Sequence, residues 1–285
     1  MNQALALALL VSALAFAVPI LLASLGELIG EKAGVLNIGL EGMMLTGAWA
    51  GAAASFASQN SGVGLLAAMA SGVLLATVFA CLTITFKADA IVAGTGLNLF
   101  ALGFTGVAHR AVSSRAVGGS YESIILPQWI FAVFAAVFIP LLWWGLRSTR
   151  AGLKLRAAGE YPAAVEAAGS SVAKIRWLST LANGALCGMA GAFLSMSHTN
   201  SFAENMTSGR GFIALAIVIF GRWNPFGALG AALLFGFADA SQFQLQSRIG
   251  TQYYPLLLAL PYVLTILTLA GFAGKSRAPG ALGKV

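Results

Sequence analysis

Charge is what this chain has least of. Only 9% of its 285 residues are Asp, Glu, Lys or Arg, against about 25% in an average soluble domain. So few charges cannot cover a water-soluble globule of this length, and the composition equally excludes an intrinsically disordered chain. Cysteine is nearly missing as well. Cys81 and Cys187 lie inside apolar runs with no CxxC or Cys/His cluster beside them, which removes a disulfide scaffold and a thiolate metal site. The two histidines, His109 and His198, read as solvated boundary residues rather than ligands, and no HExxH occurs. Nucleotide motifs fail too. Gly274-Lys275-Ser276 ends like a phosphate-binding loop, but Leu269 stands where its first glycine is required. Gly94-Thr95-Gly96 begins a dinucleotide fingerprint that breaks at Leu99. The sequence therefore carries no expected catalytic residue, metal or cofactor. Any uphill transport needs an ion gradient or another subunit.

What is present is hydrophobic. Apolar residues make up 59% of the chain, and the mean hydropathy is +0.86. Runs at 4–25, 39–58, 62–86, 90–108, 127–146, 177–197, 211–221, 226–246 and 254–273 are continuous rather than alternating. That pattern predicts helices, not barrel strands. The expected fold class is all-α: a polytopic transmembrane helical bundle of about 8–10 spans with discontinuous helices, forming one domain over 1–285. Basic residues set the orientation. With the segment 147–176 inside, 12 of the 16 Lys and Arg fall on the cytoplasmic side, as the positive-inside rule requires. The C-terminal side is then cytoplasmic and the N-terminus is expected outside. The +7 net charge thus reflects membrane topology and not nucleic-acid binding.

The segment Arg147 to Arg176 is the longest polar stretch, and its punctuation is legible. Pro162 suits a first helical turn, Ala163 to Ala168 are mostly good helix formers, Gly169 supplies a left-handed stop and Ser171 can cap the next helix. The product is a helix of about two turns, too short to be stable alone. Either a partner surface holds it or it is an interfacial connector.

Two stretches read as interrupted membrane segments. The run 211–221, flanked by Ser208-Gly209-Arg210-Gly211 and Gly221-Arg222-Trp223-Asn224-Pro225, has 11 residues, about 16 Å of helix. It is a broken helix or a full span with a polar outer end. In 26–42, Glu27, Glu31, Lys32, Asn37 and Glu41 punctuate an apolar, glycine-rich stretch. Asn37, Glu41, Asn98 and Asn183 are candidates for a translocation path. A wet loop for Glu41, and simple helix joining for Asn98 and Asn183, are the competing readings. GxxxG spacing at Gly47/Gly51 and Gly184/Gly188 predicts close helix packing.

The run GLKLRAAGEYPAAVEAAGSSVAKIRWLSTLANGALCGMAGAFL, with residues 26–51 and 209–240, resembles permease subunits of bacterial ABC importers. The family is the branched-chain amino acid/ribose/simple-sugar/nucleoside permeases, and the likeness is to the nucleoside/simple-sugar subgroup. The resemblance implies that Glu160, Tyr161, Pro162, Ala163, Ala164, Glu166, Ala167 and Gly169 belong to a cytoplasmic coupling helix that docks on an ABC ATPase subunit. It further implies a second homologous permease subunit, an extracytoplasmic solute-binding lipoprotein, a bacterial plasma-membrane location surrounded by lipid, and a nucleoside or simple sugar as solute. An ion-coupled secondary transporter or channel is the alternative. It would need carboxylates well inside the spans, for which Glu41 and Asp239 are the contenders.

Overall fold

The computed structural model describes residues 3–114, 122–249 and 278–284. Their regular structure is helical: α1 (Gln3–Lys32), α2 (Leu40–Ser58), α3 (Ser61–Ala80), α4 (Ala90–Ser113), α5 (Gln128–Ser148), α6 (Arg150–Glu160), α7 (Pro162–Ala167), α8 (Val172–Ala192), α9 (Arg210–Phe220) and α10 (Pro225–Ile249). α3 runs on as a π-helical turn over Cys81–Thr85, and α8 does so over Phe193–His198. Among the described residues, five helices are long and apolar enough to cross a membrane: Leu9–Lys32, Ser61–Thr85, Ala90–Ser113, Gln128–Ser148 and Val172–His198. The expected run 254–273 lies outside the described residues.

Local chemistry sets the starts of α3, α4, α6 and α8. Asn60 accepts hydrogen bonds from Gly62 N and Val63 N, and Asp89 from Ile91 N and Val92 N. Thr149 accepts from Gly152 N and Ser171 from Lys174 N. Each satisfies amides that a first turn leaves without partners.

The centre of the bundle is α2, α3 and α8 packed against one another, with α1 lying along α8 and α10. Glycine permits this closeness. A Cβ on Gly47 would lie 2.6 Å from the Cα of Gly188, and one on Gly72 would lie 2.9 Å from the Gly188 amide nitrogen. A Cβ on Gly191 would lie 2.6 Å from Ala48 N. The backbones of three helices therefore touch directly, and dispersion and weak Cα–H···O contacts replace the missing hydrophobic drive between helices in lipid. Around this seam a continuous core gathers Phe79, Phe131, Phe193, Met43, Met44 and Met196.

α1 departs from the sequence expectation. It continues past residue 25 to Lys32, so Glu27 and Glu31 of the interrupted stretch lie on its last two helical turns. Residues 33–39 then turn back along α1: Val35 N donates to Gly30 O, and Gly34 adopts φ +91. α2 begins from there.

Candidate functional site

The returning loop is held by a buried polar network that starts on α1. Glu27, fully buried, accepts from Asn37 N at 2.9 Å through one oxygen and from Asn183 Nδ2 at 2.7 Å through the other. Asn183 Oδ1 accepts from the Cys187 thiol, while Asn37 Oδ1 accepts from Gly39 N. Gly26, beside Glu27, is why α8 can come this close, since a Cβ there would lie 2.8 Å from Asn183 Oδ1. One turn on, Glu31 accepts from the indole N–H of Trp223, which sits in the turn joining α9 to α10. That turn is unusual. Arg222 and Trp223 both have positive φ, 54° and 53°, a conformation bulky residues rarely adopt. The Glu31 bond ties the turn to the end of α1. The second carboxyl oxygen of Glu31 is buried without a hydrogen-bond partner among the described residues.

Glu41 lies at the other end of α9. Its two oxygens accept from Gly209 N at 2.7 Å and Gly211 N at 2.6 Å. Gly209 itself offers no side-chain cap and has φ +84. A carboxylate 168 residues away in sequence therefore caps this helix and opposes the positive end of its dipole. α9 is the broken helix expected, with 11 residues. It separates Glu41 from the Trp223 turn by about 16 Å, half of a hydrocarbon core of ~30 Å. Glu41 is thus a part-buried helix cap supplied from the start of α2. Replacing it with alanine leaves two amides uncapped and is expected to cost about 2 kcal/mol. Glu41→Gln keeps one acceptor and falls between alanine and the native residue. Thermal unfolding of the purified chain in detergent measures both.

Asn98 completes the arrangement. It accepts from Gly42 N at 2.8 Å and donates to Ile38 O at 2.9 Å, so α4 clamps the start of α2. Of the four residues proposed for a translocation path, Asn37 and Asn183 meet through Glu27. Asn98 and Glu41 bracket the first turn of α2. All four are engaged in hydrogen bonds within the protein, and Asn37 and Asn183 are fully buried. Glu27, Glu31 and Trp223 belong to the same network and were not among the sequence candidates. Their one signal is the i, i+4 pair of carboxylates in an otherwise apolar helix.

At the far end of the polar segment, α6 and α7 form a platform. α7 starts at Pro162, and Gly169 follows it with φ +73. Its single buried residue, Val165, packs with Ala158 of α6 and Val172 of α8. Tyr161, Ala163, Ala164, Glu166 and Ala167 are exposed. Glu160 accepts from Gly280 N at 3.1 Å. Residues 278–284 lace this platform to the bundle. Ala281 N donates to Gly159 O, Gly283 N donates to Gly34 O, and Arg176 bonds to Ala33 O and Lys284 O.

Comparison with known proteins gives this geometry its context. The model of the family described as branched-chain amino acid transport system / permease component matches residues 9–269. The chain belongs to this family. Among its relatives, the guanosine ABC transporter permease protein NupQ of Bacillus subtilis is 35% identical, over 95% of this chain and 93% of that one. The nucleoside ABC transporter permease protein NupC of Lactococcus lactis is 33% identical over the same shares. A second Bacillus subtilis protein, the guanosine ABC transporter permease protein NupP, is 26% identical over 92% of this chain and 83% of that one. The permease is accordingly a multi-pass membrane protein.

Proposed function

We propose that this permease is the membrane-spanning half of an ATP-driven nucleoside importer, with a simple sugar as the other solute class. An ABC ATPase subunit docks on α7, a second homologous permease shares the translocation path, and an extracytoplasmic solute-binding lipoprotein delivers cargo. The observation that carries this reading is the build of α7. It is a helix of six residues seated on one buried valine, turning small exposed side chains outward. A surface of alanines lets a partner backbone approach closely, and a helix this short depends on its neighbours for order. Relatives named as nucleoside and guanosine permeases, and two such permeases in one organism, support the solute and the paired arrangement.

The whole chain acts as one permease domain in the bacterial plasma membrane, with the loop 147–176 cytoplasmic. Residues 278–284 bond to Gly159 and Glu160, which supports a cytoplasmic position for that end too. α1 crosses once before reaching the same side, which puts its start outside. Asn37 and Asn183, linked through Glu27, and Asn98 and Glu41, at the first turn of α2, hold the α1–α2 loop and α9 as one unit that responds when the platform moves. ATPase closure, received at α7 and passed through α6 and the 278–284 segment, reaches the loop at Gly34 directly.

Ala164→Trp tests the docking surface. The indole projects from an exposed position, so folding is unaffected and thermal unfolding stays native. In vesicles with the full set of subunits, nucleoside uptake falls to background while ATP hydrolysis continues. Native uptake in that variant, or uptake by the permease without any ATPase, would overturn the assignment.

A further inference from the structure

A cleft of about 220 Å³ opens where several helix ends meet, lined by Lys32 of α1, Trp143, Leu146 and Arg147 of α5, Arg156 of α6, and Trp223, Asn224 and Pro225. Three of its eight lining residues are cations. Among the described residues, none of the three side chains makes an ion pair; the one salt bridge found there joins Arg110 to Glu204. The Arg156 Nε is buried without a hydrogen-bond partner. The Arg147 guanidinium lies over the Trp143 ring at 4.9 Å, a contact that orients it and leaves its N–H groups free of a carboxylate. Glu31 and Glu160 lie within electrostatic reach of Lys32. Each bonds elsewhere through one oxygen, Glu31 to the Trp223 indole and Glu160 to Gly280 N, and their charges act on Lys32 rather than forming an ion pair with either arginine among the described residues.

Position adds to chemistry. Lys32 and Leu146 to Arg147 stand at the ends of two membrane-length helices, Leu9–Lys32 and Gln128–Ser148. The cleft is thus at headgroup level, whichever leaflet that end faces. Two tryptophans line it, and this residue type favours the interface because its ring is apolar and its N–H is not. Unneutralised arginines beside a half-apolar wall match a phosphate carried on a greasy stem. The volume corresponds to about seven waters at ~30 Å³ each, room for a phosphodiester and part of its alcohol.

We propose that this cleft binds the phosphate headgroup of an anionic phospholipid, with Arg147 and Arg156 as the direct ligands and Lys32 as a supporting charge. The bound headgroup bridges α1, α5, α6 and the α9–α10 turn. It thereby ties the platform beneath α7 to the bundle through a lipid as well as through protein.

The test uses the full-length purified permease, with phosphatidylglycerol, phosphatidylcholine and inorganic phosphate as separate probes. Native mass spectrometry reads retained lipid, and thermal unfolding reads stabilisation. The native chain retains phosphatidylglycerol in preference to phosphatidylcholine. Arg147→Gln/Arg156→Gln weakens that retention about thirtyfold, at roughly a fivefold loss per cation removed. Arg147→Lys/Arg156→Lys keeps most of it, and Lys174→Gln, at an exposed site on α8, changes nothing. Should the double glutamine variant not fold, Arg156→Gln alone is expected to lower retention about fivefold. Equal retention of the two lipids, or equal retention by native and variant chains, would overturn the site. Displacement of phosphatidylglycerol by inorganic phosphate would overturn the lipid as the source and assign a free anion instead.

Discussion

Gly188→Val is expected to abolish recovery of folded permease. Gly188 is where α8 meets both α2 and α3. A Cβ there would lie 3.0 Å from the Met69 Cα and closer still to the Ala68 carbonyl, while Gly47 and Gly72 press on Gly188 from their own helices. The obstructing atoms are backbone, so no rotamer change relieves them. α8 and α3 would have to separate, loosening the seam that α2 shares with them. Overpacking in a close-packed core costs about 1–3 kcal/mol where side chains can adjust. Obstruction by the backbone of α3 places this change above that range, enough to exhaust a marginal stability. Fluorescence-detected size-exclusion of detergent extracts reads the result as aggregate in place of a monodisperse peak. Gly96→Ala is the matched control. A Cβ at Gly96 meets nothing within 4 Å, and alanine favours the helix by about 1 kcal/mol. It should fold at least as well as the native chain, so a defect there equal to that of Gly188→Val would refute the packing explanation.

Glu27→Ala is the second large effect expected. The carboxylate takes one hydrogen bond from a backbone N–H and one from a side-chain amide, both from fully buried residues. Removing it strands two donors with no water to replace it. A buried donor left without its acceptor costs about 1–3 kcal/mol, so the variant is expected to lose roughly 2–6 kcal/mol. The α1–α2 loop loosens around Asn37, whose N–H is left without its acceptor, while Ala33, Gly34, Val35 and Ile38 keep their own bonds. Glu27→Gln behaves differently. One of its atoms remains an acceptor for Asn37 N, and Asn183 can flip its amide to present oxygen to the new NH2 group, at the expense of its bond from Cys187. The expected order of unfolding temperature is native, then glutamine, then alanine. Hydrogen exchange at Asn37 and Gly39 should rise in the alanine variant. Equal stability of all three would mean that the network does not hold the loop.

Sequence reading succeeded where the controlling chemistry is local. Pro162, Gly169 and Ser171 each act within a few residues, and α7 begins, stops and gives way to α8 at those positions. The GxxxG spacings act through helix geometry alone, and the seam through Gly47, Gly184 and Gly188 follows from them. The break at α9 was likewise visible in its flanking glycines. The capping role of Glu41 was not, because the amides that bond to it lie 168 and 170 residues away. Glu27 and Glu31 were visible as an i, i+4 carboxylate pair, but their roles were not, since the structure supplies partners 10, 156 and 192 residues distant. No window of local sequence contains those partners. Asn98 and Asn183 were ambiguous between solute contact and helix joining, and each is found bonded across helices.

The lacing by residues 278–284 has a consequence for biogenesis. The ribosome makes that stretch after every element it fastens, so Gly34, Gly159 and Arg176 wait in the membrane for partners not yet synthesised. The hydrogen bonds that tie Gly34 to the α6 end through this stretch can therefore form only after residue 284 has been made, so the α1–α2 loop gains its last fastening at the very end of synthesis.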